Sequence, residues 1–223
     1  MSRYLFCVLL MLTALLGGCA TQIDVALNAI PDPDYPFDRK ATVLVTSANS
    51  ADENALNARY YLRDMVNALK DRGFQEVYTD ASLPRNHAPI KMTISLDIGS
   101  RQVSYRYTAT DYGQVPTSTT TVCKNSKKKD DRLTCTSKPN TTYGPVGTSE
   151  RIGYTTLSTF VATARDEVSK RTVYLLRASS YNEDCQAAKV EAFLVEQGLQ
   201  QLNFDDRVQR NYSVTMPEGY SCK

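Results

Sequence analysis

Tryptophan is absent from this 223-residue chain, and histidine occurs once, at His87. A single imidazole leaves no His-based metal motif. The six cysteines leave no zinc knuckle either, because no two of them stand two to four residues apart. There is no glycine-rich phosphate loop and no Gly-x-Ser-x-Gly elbow, so the common signatures of nucleotide binding and of serine hydrolases are missing. Charge of neither sign is in excess. Lys and Arg number 26 against 24 Asp and Glu, a formal +2 that creates no field for nucleic acid. No cofactor, no metal and no nucleic-acid partner is expected. The one long apolar run, Tyr4 to Leu16, falls short of the roughly 20 residues a membrane-spanning helix needs.

That run has another use. Arg3 precedes it and Leu16-Gly17-Gly18-Cys19 closes it, and a short positive segment, an apolar stretch and small residues before a cut mark export. The pattern resembles a bacterial lipoprotein signal occupying residues 1–18. This resemblance implies that the Cys19 thiol takes a diacylglyceryl group, the signal is removed and the new amine is acylated. Each buried methylene contributes about 0.8 kcal/mol and two chains already anchor stably, so a membrane is the expected partner through Cys19. Ala20 follows where Asp would imply retention in the inner membrane, and the outer membrane, periplasmic face, is the expected location. Loss of Arg3 takes the mature chain to +1.

Cys123, Cys135, Cys185 and Cys222 remain for an oxidising compartment, which favours disulfides. Three pairings are possible. Nearness in sequence makes Cys123 with Cys135 the natural local pair, leaving Cys185 for Cys222. The first bridge closes a loop worth about 3 kcal/mol in the chain-entropy account.

The 205 residues after the signal suffice for one domain. Fourteen tyrosines among Thr and Ser lean towards β structure. Ile23 to Ile30 reads as a strand, followed by a stiff turn from Pro31 to Pro36, and Ala41 to Val45 as a strand covered on both faces. Ser50 to Glu53 forms a capping box. It opens a helix with an apolar face of Ala55, Ala58, Leu62, Met65, Val66 and Leu69, which Gly73 stops. Phe74 to Thr79 returns as a strand. Ile90, Met92, Ile94, Leu96 and Ile98 alternate with polar residues, so one face is buried and one wet. A hairpin or bend is expected at Gly99-Ser100 before a partner strand with Val103, Tyr105 and Tyr107. Around 113–151 the composition turns to Thr, Ser, Pro and Lys, an inserted arm stapled by Cys123 and Cys135. Strands over Ile152–Ala164 and Thr172–Tyr181 flank a polar turn. Asn182, with Glu183 and Asp184, is expected to cap a last helix with Ala187, Val190, Phe193, Leu194 and Leu202 on its packing face. A final strand covers Arg207–Thr215, and no internal repeat is found. The expected fold is α+β, a mainly antiparallel sheet with two helices packed on one face as a two-layer sandwich.

The helix Leu62–Gly73 followed by Phe74, the alternating strand Ile90–Ile98, the run Phe160–Asp166 with Lys170–Ser179, and the helix Val190–Phe204 carry a resemblance. They are similar to a family of small Gram-negative envelope lipoproteins known as a domain of unknown function. Two features depart from that pattern: Tyr174 or Leu175 stands where the family often has tryptophan, and a long cysteine-bearing insertion is present. The resemblance implies a fold and a location; it implies no reaction.

Candidate chemistry is sparse. His87 lies between Pro84 and Pro89 in a polar turn with neither an orienting carboxylate nor a nucleophile assigned to it. The doublets Asp166-Glu167, Glu183-Asp184 and Asp205-Asp206 could serve a glycosidase, but turn and helix-end duties explain each. Lys127, Lys128 and Lys129, between the paired cysteines, could touch anionic headgroups, lipopolysaccharide or a protein, or serve only as a solvated turn. Tyr105, Tyr107, Tyr112, Tyr143 and Tyr154 could line a groove or be half-buried strand residues. The reading is a non-enzymatic outer-membrane lipoprotein, an accessory or scaffold module for another cell-envelope component. A carrier or sensor of an apolar or glycan ligand is the alternative, and an envelope hydrolase the third.

Overall fold

Side chains of period two build most of the chain. In the computed structural model, which describes residues 22–48, 53–125, 133–183 and 185–216, the first strand β1 (Gln22–Pro31) buries Ile23, Val25, Leu27 and Ala29 at alternate positions. The same pleat turns Met92, Ile94, Leu96 and Ile98 of β4 (Ile90–Asn125) inward. The order between and after them is β2 (Thr42–Ser47), α1 (Glu53–Tyr60), α2 (Leu62–Asp71), β3 (Val77–Thr79), then β5 (Leu133–Asp166), β6 (Thr172–Asn182), α3 (Ala187–Gln200) and β7 (Val208–Thr215).

These strands form one sheet in the order β3-β2-β4-β5-β6-β1-β7. It is mixed, which corrects the expectation of a mainly antiparallel sheet. β2 runs parallel to both β3 and β4, whereas β6 is antiparallel to β5 and β1, and β1 to β7. The cause is the helical connection from β2 to β3. A crossover through a helix returns the chain to start its next strand in the same direction, whereas a tight turn reverses it. The architecture is α+β, with three helices among the described residues rather than two, because the first helical segment breaks at Tyr61. The break leaves Ala55 and Ala58 of α1 buried before Met65 and Leu69 of α2. The capping residues Ser50 to Asp52 lie outside the described residues.

Helix α2 ends as its sequence demands. Gly73 takes φ +90°, a conformation glycine adopts without a Cβ penalty. Its amide donates to the Lys70 carbonyl and that of buried Phe74 to the Leu69 carbonyl, which satisfies two orphan carbonyls of the last turn. The start of α3 differs from the sequence expectation. Asn182 is the last residue of β6, paired across from Thr156, and the helix begins five residues later after an extended Gln186. Strand alternation wins there, since Ala178, Ser180 and Asn182 continue the inward series of β6.

Helix α3 lies close to the sheet. A Cβ at Gly198 would stand 2.6 Å from ring atoms of Phe160 on β5 and 3.6 Å from Leu176 on β6. Beyond the end of α3, Phe204 stacks on Tyr174 at 4.4 Å and meets Phe37 and Phe74 edge-on, each at 5.1 Å. The Arg39 guanidinium lies 4.5 Å over the Phe74 ring and 3.0 Å from Asp205.

The chain divides into two compact units. One comprises the segments Met1–Val103 and Thr155–Lys223, the other Ser104–Tyr154. The second contains the outer lengths of β4 and β5. The bend expected at Gly99-Ser100 is absent, because β4 continues as one strand through both residues.

Candidate interaction surface

The unit Ser104–Tyr154 is a two-stranded ribbon. At about 3.3 Å per residue, each strand of some 20 residues spans roughly 70 Å. Among its described residues none is buried. Among the described residues it holds eight of the thirteen exposed large hydrophobic ones, Tyr105, Tyr107, Tyr112, Val122, Tyr143, Val146, Ile152 and Tyr154. Isolated hairpins are marginal in water and lone exposed apolar residues are commonplace, so it is the concentration of such residues in one unit that makes the ribbon a candidate surface.

Local chemistry holds the ribbon in register. Cys123 and Cys135 form a disulfide, with Cα atoms 4.0 Å apart. Thr121 and Ser137 share a hydroxyl hydrogen bond at 3.0 Å, and Asn140 Nδ2 donates to Ser118 and Thr120 at 3.0 and 2.7 Å. Tyr112 and Tyr143 stack at 6.1 Å, and the ring of Tyr105 covers Gly153, where a Cβ would stand only 2.6 Å from it. Asp111 accepts from Ser149 at 3.0 Å and from Arg151 at 2.6 Å. The Ser149 hydroxyl first, then Arg151, holds the Asp111 carboxyl below its usual range. Lys124 and Lys138 flank the disulfide in sequence and enter no ion pair among the described residues.

The other sequence candidates separate. Cys19, Cys222 and the run Lys127, Lys128 and Lys129 lie outside the described residues. Cys185 is disulfide-bonded. His87 is exposed, its Nδ1 2.7 Å from the Ala88 carbonyl oxygen. Asp166 serves its turn: it accepts from the Ser169 amide at 2.6 Å and from the Tyr35 hydroxyl at 3.1 Å. Hydrogen bonding from Ser169 holds its carboxyl below the usual range, and burial, with Asp166 beside it, pushes Tyr35 up to about 12. Glu167 is held low by Lys170, its ion-pair partner. Asp205 is engaged with Arg39, and Asp184 lies outside the described residues. The tyrosines of the ribbon range from 42% exposed at Tyr105 to 75% at Tyr143. No group of three His, Cys, Asp or Glu capable of holding a metal occurs among the described residues, and none of the described helices is long and apolar enough to cross a membrane.

Two features escaped the sequence. Val122, Val146 and Ile152 belong to the apolar surface of the ribbon, each a lone apolar residue amid polar neighbours. In the larger unit, Ser100 Oγ donates to Glu191 Oε1 at 2.7 Å and lies 2.7 Å from Ser158 Oγ, with Ser158 and Glu191 both buried. Ser180, directly across from Ser158, is buried with its hydroxyl unpartnered. The only signal for this polar seam is the run of serines replacing aliphatic residues at inward positions of three strands.

No protein-family model matches the chain, and no curated protein does. Solved structures similar to it include a PelC dodecamer from Paraburkholderia phytofirmans, with a TM-score of 0.36 and 11% identity over 78% of this chain and 94% of that one. A PDZ domain protein from Parabacteroides distasonis gives a TM-score of 0.41 and 12% identity, over 87% of this chain and 39% of that one.

Proposed function

We propose that this protein is a non-enzymatic accessory module of the Gram-negative cell envelope, anchored by lipid on Cys19 to the periplasmic face of the outer membrane, which engages another envelope component through its ribbon. One observation carries the reading: a coreless, disulfide-closed ribbon holds eight exposed large hydrophobic side chains. A disulfide lowers the ordering cost of binding by restricting the loop beforehand. The unpaired edges of the ribbon offer backbone donors and acceptors to a partner strand, and its side chains supply the apolar contact. The disulfide agrees with an oxidising compartment such as the periplasm.

The test compares the full chain with a chain whose residues 104–154 are replaced by a tight turn, both produced in a Gram-negative host. Fatty-acid labelling that depends on Cys19, and flotation with the outer membrane, test the anchor. An amine-reactive crosslinker applied to cells tests the ribbon. The expected result is one discrete heavier species from the full chain and none from the shortened one. Equal crosslinking of both would remove the ribbon from the account, and absence of label would remove the anchor.

A further inference from the structure

The inward face of the sheet turns polar at one level of the larger unit. Ser100 of β4, Ser158 of β5 and Ser180 of β6 lie on strands that are neighbours in the sheet, and Ser158 stands directly opposite Ser180. Asn182 follows on the same face of β6, two residues along. Glu191 reaches this row from α3 through Ser100. Solvent has little access, since Ser158 and Ser180 are 0% and 1% exposed and Asn182 and Glu191 are 8% and 7% exposed. Polar atoms buried to this degree nearly always have a partner.

The hydroxyl hydrogens of the row follow from counting. A carboxylate accepts, and a serine has one hydrogen to give. Ser100 Oγ donates to Glu191 Oε1 at 2.7 Å, so its contact with Ser158 Oγ, also at 2.7 Å, is made with the Ser158 hydrogen. Ser158 Oγ is left with lone pairs and nothing to donate. On β6, Asn182 Nδ2 donates to the Thr156 carbonyl at 3.5 Å, while Asn182 Oδ1 has no partner. The Ser180 hydroxyl, across the strand pair from Ser158, has none either. Two acceptors and one hydroxyl donor therefore remain open in one corner of the core.

Water matches that set. A buried water typically makes about three hydrogen bonds, and here it gives two hydrogens and takes one. A bare cation would engage the oxygens but leave the Ser180 hydrogen without an acceptor, and an apolar occupant would leave all of them unmet. Serine is also small. A water needs on the order of 10–15 Å³ of free volume, less than a core position gives up when serine stands in place of leucine.

We infer that the larger unit holds an internal water that donates to Ser158 Oγ and Asn182 Oδ1 and accepts from the Ser180 hydroxyl. The water extends the Glu191–Ser100–Ser158 chain onto β6. Glu191 is the helix end of that chain, so the water helps to fasten α3 to three strands at once. The site belongs to the larger unit and stands whether or not the ribbon binds a partner.

The experiment compares the full lipidated chain in detergent with Ser180→Ala and Ser180→Val. In urea unfolding Ser180→Ala should lower the folding equilibrium constant about fivefold, the worth of one net hydrogen bond, because the water loses its donor. Without a water the same change deletes an unmet buried hydroxyl, and stability should rise instead. Oxygen-17 relaxation dispersion of the solvent counts long-lived internal waters, and the native chain should hold one more than Ser180→Val, whose methyl groups occupy the place. Native stability should be equal in sodium, potassium and choline chloride at one ionic strength. Ser180→Ala as stable as the native chain or more so, or an unchanged count of long-lived waters in Ser180→Val, would overturn the inference. A stability gain specific to sodium or potassium would overturn it too, by making the occupant a cation.

Discussion

Substituting Gly198 by alanine sets two known magnitudes against each other. In an exposed helix the change favours the protein by about 0.8–1.0 kcal/mol, because glycine loses more backbone freedom on folding. At Gly198 the added methyl meets two ring atoms of Phe160 at 2.6 Å, closer than real Cβ contacts come. Phe160 is 0% exposed and Leu176, on the far side of the site at 3.6 Å, is equally buried. Neither the ring nor the helix has free space to move into. Overpacking of this kind costs about 1–3 kcal/mol, and a contact this short on a buried ring belongs at the upper end. The net expectation is a loss of about 1–2 kcal/mol. For a domain of this size each kcal/mol moves the midpoint by about 2–4 °C, so Tm should fall by roughly 3–6 °C. The assay is thermal and urea unfolding of the lipid-free Cys19→Ala chain, with Gly198→Ala placed in the native background and in Phe160→Leu. Leucine at 160 removes the ring atoms, so there the alanine should become neutral or stabilising, a coupling of at least 1 kcal/mol. A Gly198→Ala chain as stable as its parent, with no coupling to position 160, would refute the close approach of α3 to the sheet.

Three further outcomes follow from named contacts. Replacing Cys123 and Cys135 by serine removes a closure worth about 3 kcal/mol in the entropic account. Trypsin should then cut within 104–154 at least tenfold faster while the unfolding of the larger unit hardly moves, and unchanged cutting would deny the bridge its role. Asp166→Asn should lower Tm at pH 7, and the gap should close on acidification. The native carboxyl is held below its unfolded value by Ser169 and Tyr35, so its contribution is complete above about pH 4 and disappears as pH falls through the folded value; a gap constant from pH 7 to 2.5 would contradict this. Lys170 has φ 59°, where a Cβ is costly, and its ion pair with Glu167 is exposed and worth little. Lys170→Gly should therefore leave stability unchanged or raise it by up to about 1 kcal/mol, and a clear loss in urea unfolding would show that the ion pair outweighs the backbone term.

The sequence was most legible where local rules and burial agree. Met92, Ile94, Leu96 and Ile98 announce one buried face by alternation, and the end of α2 follows from Gly73 and the apolar Phe74 beyond it. Direction within the sheet was less legible. Val43 and Val45 report that β2 is buried, but burial is the same for parallel and antiparallel neighbours, and only the crossover settles which applies. Asn182 misled because the residue type favoured at helix starts also fits the inward position of a strand whose end is polar. Ser180 in that polar end stands across from Ser158, which with Ser100 and Glu191 forms contacts across three elements, a relation with no local pattern. For the ribbon, composition located the excursion around 113–151, whereas the compact unit runs Ser104–Tyr154. Its apolar surface was illegible as a whole because Val122, Val146 and Ile152 stand singly among Thr, Gly and Ser.

The most direct test of the ribbon as a binding surface is site-specific photocrosslinking in living cells. A photoreactive residue at Tyr143 is compared with one at Val168, a position 74% exposed on the larger unit. A discrete protein adduct from position 143, weakened at least tenfold by Cys19→Ala and absent from position 168, is the predicted result. Adducts at equal yield from both positions, or none from position 143, would contradict it.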